Sequence, residues 1–272
     1  MLSTIANLKT YIGTNSHSDA FLTQILTAAS GAITAYCGRV FESTTYRELY
    51  SGDGTSEIQV DNYPVISMSM LSLGKISAFE LTNTSSGAYN ASVSVSETQM
   101  TLTVSGGDNA GTSTLTLATY TSMNTLIAAI TALNKSWGVV GNTSLASWAA
   151  SEILPINGAS CLNKYAAILI PDTPETDFSV ESATGIVKIW GYFPVGFQNI
   201  TIKYVGGYAT IPADVEQVCL ELAKNYLDSK GQNTTLQSES IGSYSYSAKS
   251  ELPTSGIPAS LQGRLNSWRS CF

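Results

Sequence analysis

KYVGGYATIPADVEQVCLELAKNYLDSKG, residues 203–231, is the stretch whose reading decides this fold. It continues NITIKYV, in which Ile200, Ile202 and Tyr204 alternate with other residues, the period-two pattern of a strand with one buried face. The paired glycines 206 and 207 end that strand where the chain must turn tightly, and Pro212 suits the start of a helix. Val215, Val218, Leu222 and Tyr226 then fall on one apolar stripe of a long helix. Cys219 and Leu220 widen that surface beyond what one sheet covers, so Val215, Val218, Leu222 and Tyr226 are candidate subunit-interface residues as well as core. Each aliphatic side chain so buried contributes about 1.5–3 kcal/mol.

Outward from this stretch, helical patterns lie at the start of the chain. Ser3 and Thr4 precede Ile5, Leu8 and Ile12 at helical spacing, and Gly13 stops that first helix. After the polar TNSHS, Ser18 caps a second helix whose stripe is Leu22, Ile25, Leu26, Ala29, Ile33 and Tyr36, with Gly38 at its end. Strands follow: TTYRELY (44–50), EIQV (57–60) and VISMSMLSLG (65–74), where Ile66, Met68 and Met70 alternate with Ser67 and Ser69 and so predict a buried face.

At about residue 78 the composition changes to a nearly charge-free run. Val93 and Val95, then Met100, Leu102 and Val104, then Leu115 and Leu117 supply one face of a small sheet. TSMNTLIAAITALNKSWG predicts a capped helix with Leu126, Ile127, Ile130 and Leu133 on one face, closing at Gly138. Near residue 166 the earlier style returns: FSVESATGIVKIW is a hairpin turning at ATG, and NITIKY is a further strand. VISMSMLSLGK breaks off without a hairpin partner, which the later strands can provide. The expected fold class is therefore α+β. A discontinuous core of residues 1–77 plus 166–231 is interrupted by a β-rich inserted domain with one helix at 78–165, and followed by a tail at 232–272 that ends in a short helix.

The chain of 272 residues has only 12% charged residues and a formal net charge of -7, and each of the three segments 1–77, 78–165 and 166–272 is acidic on balance. About a quarter charged is typical of soluble proteins. The uncharged polar remainder suits β-rich, assembly-forming surfaces, and no basic segment is present to neutralise phosphates, which disfavours tight nucleic-acid binding. Cys37, Cys161, Cys219 and Cys271 are too far apart in sequence for zinc or redox motifs and read as reduced thiols. The start MLSTIANLKTYIG lacks a secretory pattern, and no apolar run has the length of a membrane span, so a cytoplasmic origin is expected.

The inventory of chemistry is sparse. His17 is the sole histidine and lies in a polar break with no nucleophile motif beside it. GGDNAG (106–111) and SGDG (51–54) have neither a Walker lysine nor the ligand spacing of a calcium loop, and read as turns. Asp172, Glu175, Asp177 and Glu181 sit in a proline-containing connector and read as a solvated edge. No catalytic residue, metal site or cofactor is expected, and the chain is not expected to be an enzyme. The 14 tyrosines fall mostly at alternating or stripe positions, where sheet packing and interfaces account for them.

The order of motifs carries a resemblance. LKTYIG, a helix ending AASGAITAYCGRVF, YPVISMSML, SVESATGIVKIWGYFP, the Y.GGYATIPADVEQ junction with its helix, and SESIGSYSYS together resemble the head-to-tail connector (adaptor) family of tailed bacteriophages. The resemblance covers about two thirds of the chain. It implies a structural virion protein in the neck, assembled in the host cytoplasm as a ring of copies of itself, commonly a dodecamer. The ring sits beneath the portal protein, extends the DNA channel without specific DNA binding, and docks a downstream neck, stopper or tail protein. In that family the long helix lines or frames the ring, an expectation here for residues 212–230, and the C-terminal segment engages the portal. Leu261, Arg264, Leu265, Trp268 and Arg269 are then the portal-binding candidates, Trp and Arg being common interface anchors; the same segment can instead fold back on its own subunit. The alternative function is a surface- or carbohydrate-binding module carried by the Ser/Thr-rich insert.

Overall fold

The computed structural model describes residues 1–13, 17–229, 238–241, 244–247 and 256–270. Helix α1 (Ile5–Ile12) starts where the Thr4 side chain accepts from the Asn7 amide and ends at Gly13, φ 72°. Helix α2 (Asp19–Cys37) is capped by Ser18, and Gly38 closes it in the left-handed conformation. Strands β1 (Thr44–Gly52), β2 (Glu57–Gln59) and β3 (Val65–Ser72) follow, then β4 (Lys75–Asn83), β5 (Ala88–Val95), β6 (Gln99–Gly106) and β7 (Gly111–Thr116). Helix α3 (Met123–Ala132) begins with a Ser122/Thr125 capping box. It stops well short of the expected Gly138, because Asn134 and Ser136 adopt positive φ and turn the chain into β8 (Trp137–Gly141). After β9 (Ile156–Ser160) and β10 (Ala166–Pro171) come β11 (Phe178–Glu181), β12 (Ile186–Ile189) and the long β13 (Gly196–Gly206). Helix α4 (Ala213–Ser229), the paired strands β14 (Ser238–Ile241) and β15 (Tyr244–Ser247), and helix α5 (Ala259–Leu265) complete the order. The fold is α+β, with antiparallel sheets.

Three hydrophobic clusters hold these elements. The first is helical: Leu8 from α1, Leu22, Leu26, Ala29 and Ile33 from α2, Val215, Val218, Leu222 and Ala223 from α4, and Leu261 and Leu265 from α5. By length and composition α2 could cross a membrane, yet here its apolar stripe packs on α4. The second cluster lies against the sheet β1-β13-β3 and includes Val60, Leu71, Val187, Phe193, Ile200, Ile202 and Tyr204. The alternation read in NITIKY is thus the buried face of β13. The alternation in β3 behaves differently: Ile66 is 42% exposed while Val65 and Leu71 are buried. Register shifts opposite Lys203–Tyr204 and Val205–Gly206 move β3 off its simple period, because an extra residue flips the side chains that follow it.

The third cluster draws all its buried residues from between Ala78 and Ile170. Its sheets are β7-β6-β5-β9 and β10-β4-β8, closed by α3. This corrects the boundaries expected from sequence. Residue 77/78 falls inside β4, and β10, expected to reopen the core at 166, pairs with β4 through Ala166↔Leu81 to Pro171↔Lys75. The composition change near 78 marks where charges become sparse, not where the strand begins. The ends of this unit meet: the Asp172 amide donates to the Gly74 carbonyl at 3.0 Å.

Two cations tie this unit to the neighbouring sheet. Arg47 on β1 and Lys203 on β13 are register partners. Arg47 donates to the carbonyls of Ser151, Glu152 and Ile153 at 2.8–2.9 Å, and Lys203 pairs with the Glu152 carboxylate at 2.5 Å. Free carbonyls at the end of the short 3-10 turn Ala150–Glu152 are natural acceptors for a guanidinium. Excision of Lys75 to Pro171, joining Gly74 directly to Asp172, is expected to leave a folded protein. The measurement is circular dichroism with a cooperative melt, and a non-cooperative or unfolded product would show that the helical and β1-β13-β3 clusters need the excised segment.

Candidate interaction surfaces

The junction GGY sets how α4 meets the rest of the chain. A side chain at Gly206 would place its Cβ 2.4 Å from the Asn62 carbonyl oxygen. Gly207, at φ +99°, passes equally close to the carbonyl oxygen of Glu42, and its amide donates to the Pro64 carbonyl. Only a residue without Cβ allows this approach. The turn sends α4 back across α1 and α2, where Ser3 Oγ and Asn7 Nδ2 both donate to Glu216 Oε1, at 2.7 and 2.8 Å.

This placement corrects the interface residues expected from the stripe. Val215, Val218 and Leu222 are 0% exposed inside their own subunit. They are covered by α1, α2 and α5, so they have no surface left for a neighbour; a stripe wider than one sheet requires meets three helices of the same chain. Tyr226 is half-buried, and its hydroxyl donates to the Gly256 carbonyl at 3.2 Å.

The C-terminal candidates divide in the same way. Leu261 and Leu265 are buried in the helical cluster, and Arg264 pairs with Glu221 at 2.8 Å. Trp268 is half-buried, edge-on to Phe41 and Tyr208, which stack on each other. Arg269 lies over the Tyr36 ring at 5.3 Å, and the Ser270 amide donates to the Cys37 carbonyl at 2.7 Å. The segment therefore folds back on its own subunit, leaving the Arg264 and Arg269 side chains exposed. Cys37, Cys161 and Cys219 are buried free thiols. Cys271 lies outside the described residues. Burial pushes Cys37 and Cys161 up to about 11, although Arg39 and Arg269 near Cys37, and Lys164 near Cys161, pull the other way.

The densest polar cluster is built around Glu48 on β1. Tyr204 Oη donates to both its carboxylate oxygens at 2.8 Å, Asn62 Nδ2 donates to Oε1 at 2.9 Å, and Tyr50 Oη donates to Oε2. Tyr50 and Tyr204 in turn accept from the amides of Asp61 and Asn62. Burial first, and the Glu48 charge after it, hold both phenols far above the usual tyrosine range. The carboxylate has its donors and the phenols have theirs, so this network locks β1, β13 and the loop at Asn62 together.

His17 is exposed and tilted against Phe21. Asp53 accepts from the Thr55 amide and hydroxyl in the β1–β2 turn, which lowers its pKa. Asp172 and Glu175 accept from backbone amides one or two residues on. Among the described residues no group of three or more His, Cys, Asp or Glu is arranged to hold a metal ion.

Neither a period-two nor a helical pattern singles out the segment that follows β12 and runs into the first residues of β13. Trp190, Tyr192, Val195 and Phe197 are 76–92% exposed there, whereas Phe193 between them is fully buried. The signal lies in WGYFPVGF, an uncharged apolar run broken by two glycines and a proline, whose first half closes the hairpin motif.

No protein-family model matches the chain, and no curated protein has a significantly similar sequence. Among solved structures, one chain from the neck of an empty GTA particle, computed with C6 symmetry, is similar at 12% identity and a TM-score of 0.44, covering 100% of this chain and 91% of that one.

Proposed function

We propose that this chain is a structural protein of a phage-like neck, a protomer of a ring-shaped head-to-tail connector. The observation that carries the reading is the position of the segments that resemble the connector family. LKTYIG, AASGAITAYCGRVF, YPVISMSML, SVESATGIVKIWGYFP and the GGYATIPADVEQ junction lie in the helical and β1-β13-β3 clusters, while SESI and YSYS of the sixth resembling segment pair with each other as β14 and β15. The segment that the resemblance does not cover lies between ends joined by the Gly74–Asp172 hydrogen bond. Residues 75–171 are accordingly read as an inserted domain on a connector body.

On this reading the function is geometry and adhesion, and the chain is not an enzyme. Copies close into a ring between the portal and a downstream neck, stopper or tail protein, and DNA passes through an acidic channel whose wall repels phosphate. The portal contact falls to the exposed parts of the C-terminal segment: Arg264, Arg269 and the open side of Trp268. Native mass spectrometry or negative-stain imaging of the purified protein mixed with its portal protein tests the reading. Rings of defined copy number are the expected result. A chain that stays monomeric beside the portal while binding glycans through the inserted segment would replace it with the binding-module alternative.

A further inference from the structure

We propose that the apolar segment Trp190–Phe197, the loop after β12 with the first two residues of β13, is the contact through which one copy of this chain seats on the next. The inference rests on the ring reading and names a surface for it. From Ile189 to Phe197 the loop carries no charged side chain, and its only polar one is Tyr192. Three exposed rings and Val195 present about 500 Å² of apolar surface, at about 150–250 Å² per aromatic side chain. A stable interface buries about 800 Å² per partner, so this loop supplies the larger part of one side. A patch of this size matches the largest apolar patch of a typical monomer, about 300–600 Å², which is often functional.

The loop is held in place before any partner arrives. Phe193 is buried in the β1-β13-β3 cluster, its amide donates to the Thr55 carbonyl at 2.7 Å, and its carbonyl accepts from Gly54. Asn199 Nδ2 donates to the Pro194 carbonyl at 2.7 Å, and Lys75 Nζ to the Phe197 carbonyl at 3.2 Å. Gly52 runs so close beneath that a Cβ there would lie 2.0 Å from the Pro194 carbonyl oxygen. A backbone held on such a platform need not be ordered on docking, which lowers the entropic cost of the contact, and Trp and Tyr are common interface anchors.

The occupant is a second copy, because contacts between copies have the more apolar cores and this loop is apolar throughout. A lipid surface is the weaker fit. The charges beside the loop are Asp53, Lys75 and the Glu57–Lys188 pair, which form no basic cluster for anionic headgroups. The loop also stands far from the helices. β13 runs eleven residues from Gly196 to the Gly206 junction, about 35 Å, so the helical cluster and its C-terminal segment stay free for another partner.

The test compares the full chain with the double variant Trp190→Ser/Phe197→Ser and, separately, Val195→Glu, by sedimentation velocity over a concentration series with and without the portal protein. All three side chains are exposed, so melting temperatures should match that of the unaltered chain. The expected result is self-association weakened by about 30-fold or more, the loss typical of a removed hot spot. Variants that assemble like the unaltered chain would overturn the loop assignment and leave the ring reading standing. An unaltered chain that never self-associates, even on the portal, would overturn both. Flotation with phosphatidylcholine vesicles adds a last arm: binding that needs Trp190 and Phe197, with self-association unchanged, would assign the loop to membrane and overturn the proposal.

Discussion

Gly207→Ala is expected to destabilise the protein by about 3 kcal/mol or more and to lower its melting temperature by about 10 °C. Two causes add. At φ +99° an L residue is strained by about 1–2 kcal/mol, and its Cβ would meet the Glu42 carbonyl oxygen at 2.4 Å and carbon at 2.8 Å. Backbone on both sides of the contact cannot rotate away as a side chain would. Gly191→Ala separates the two causes, since Gly191 also has positive φ, +115°, but among the described residues beyond its chain neighbours no atom lies within 4 Å of a built Cβ. That variant should lose only about 1 kcal/mol. Thermal melts of the two proteins side by side measure the difference, and equal losses would show that the close approach contributes nothing. Total stabilities are typically about 5–15 kcal/mol, so the Gly207 change removes a large share of the margin.

The second large effect is alkaline unfolding. Tyr50 and Tyr204 have their phenols raised far above the unfolded value of 10.0, chiefly by burial and then by Glu48, and Cys37 and Cys161 are raised from 9.0 to about 11 by burial. In each case the folded state holds its proton more tightly than the unfolded state. Their contribution to stability is therefore complete below pH 9 and falls as pH rises, through about 11 for the thiols and from pH 10 upward for the phenols. Each group so protected lowers the unfolding free energy by about 1.4 kcal/mol per pH unit within its window. Urea unfolding at pH 8, 10 and 11 should show a steep decline, shallower in Tyr50→Phe, which lacks one of the titrating phenols. A free energy that stays level from pH 8 to pH 11 would refute the assignment.

The Glu48 network was not legible in the sequence, although every strand that carries it was. TTYRELY and NITIKY announce β1 and β13 by alternation, and the two do pair, with Tyr46 opposite Tyr204 and Arg47 opposite Lys203. Periodicity assigns a face to each residue but not what lies across from it. Tyr50, Glu48 and Tyr204 meet only because β1 and β13 share one register and the loop at Asn62 folds over them. The same limit explains β10. The return of core-like composition near residue 166 does not reveal that β10 pairs with β4, more than eighty residues away, a long-range choice that local composition does not encode.

Local sequence set whatever is decided within a few residues: the caps at Thr4, Ser18 and Ser122, the stop at Gly38, the buried face of β13, and the glycine pair that lets the chain turn into α4. These follow from backbone sterics and from which nearby donors an oxygen can reach. The tertiary fold set which apolar surfaces remain open. Val215, Val218 and Leu222 look available on a helical wheel and are sealed by α1, α2 and α5, whereas Trp190 and Phe197 look like core residues and stand in solvent. Burial depends on contacts summed over distant segments, so an apolar pattern states that a residue should be covered without naming which surface covers it.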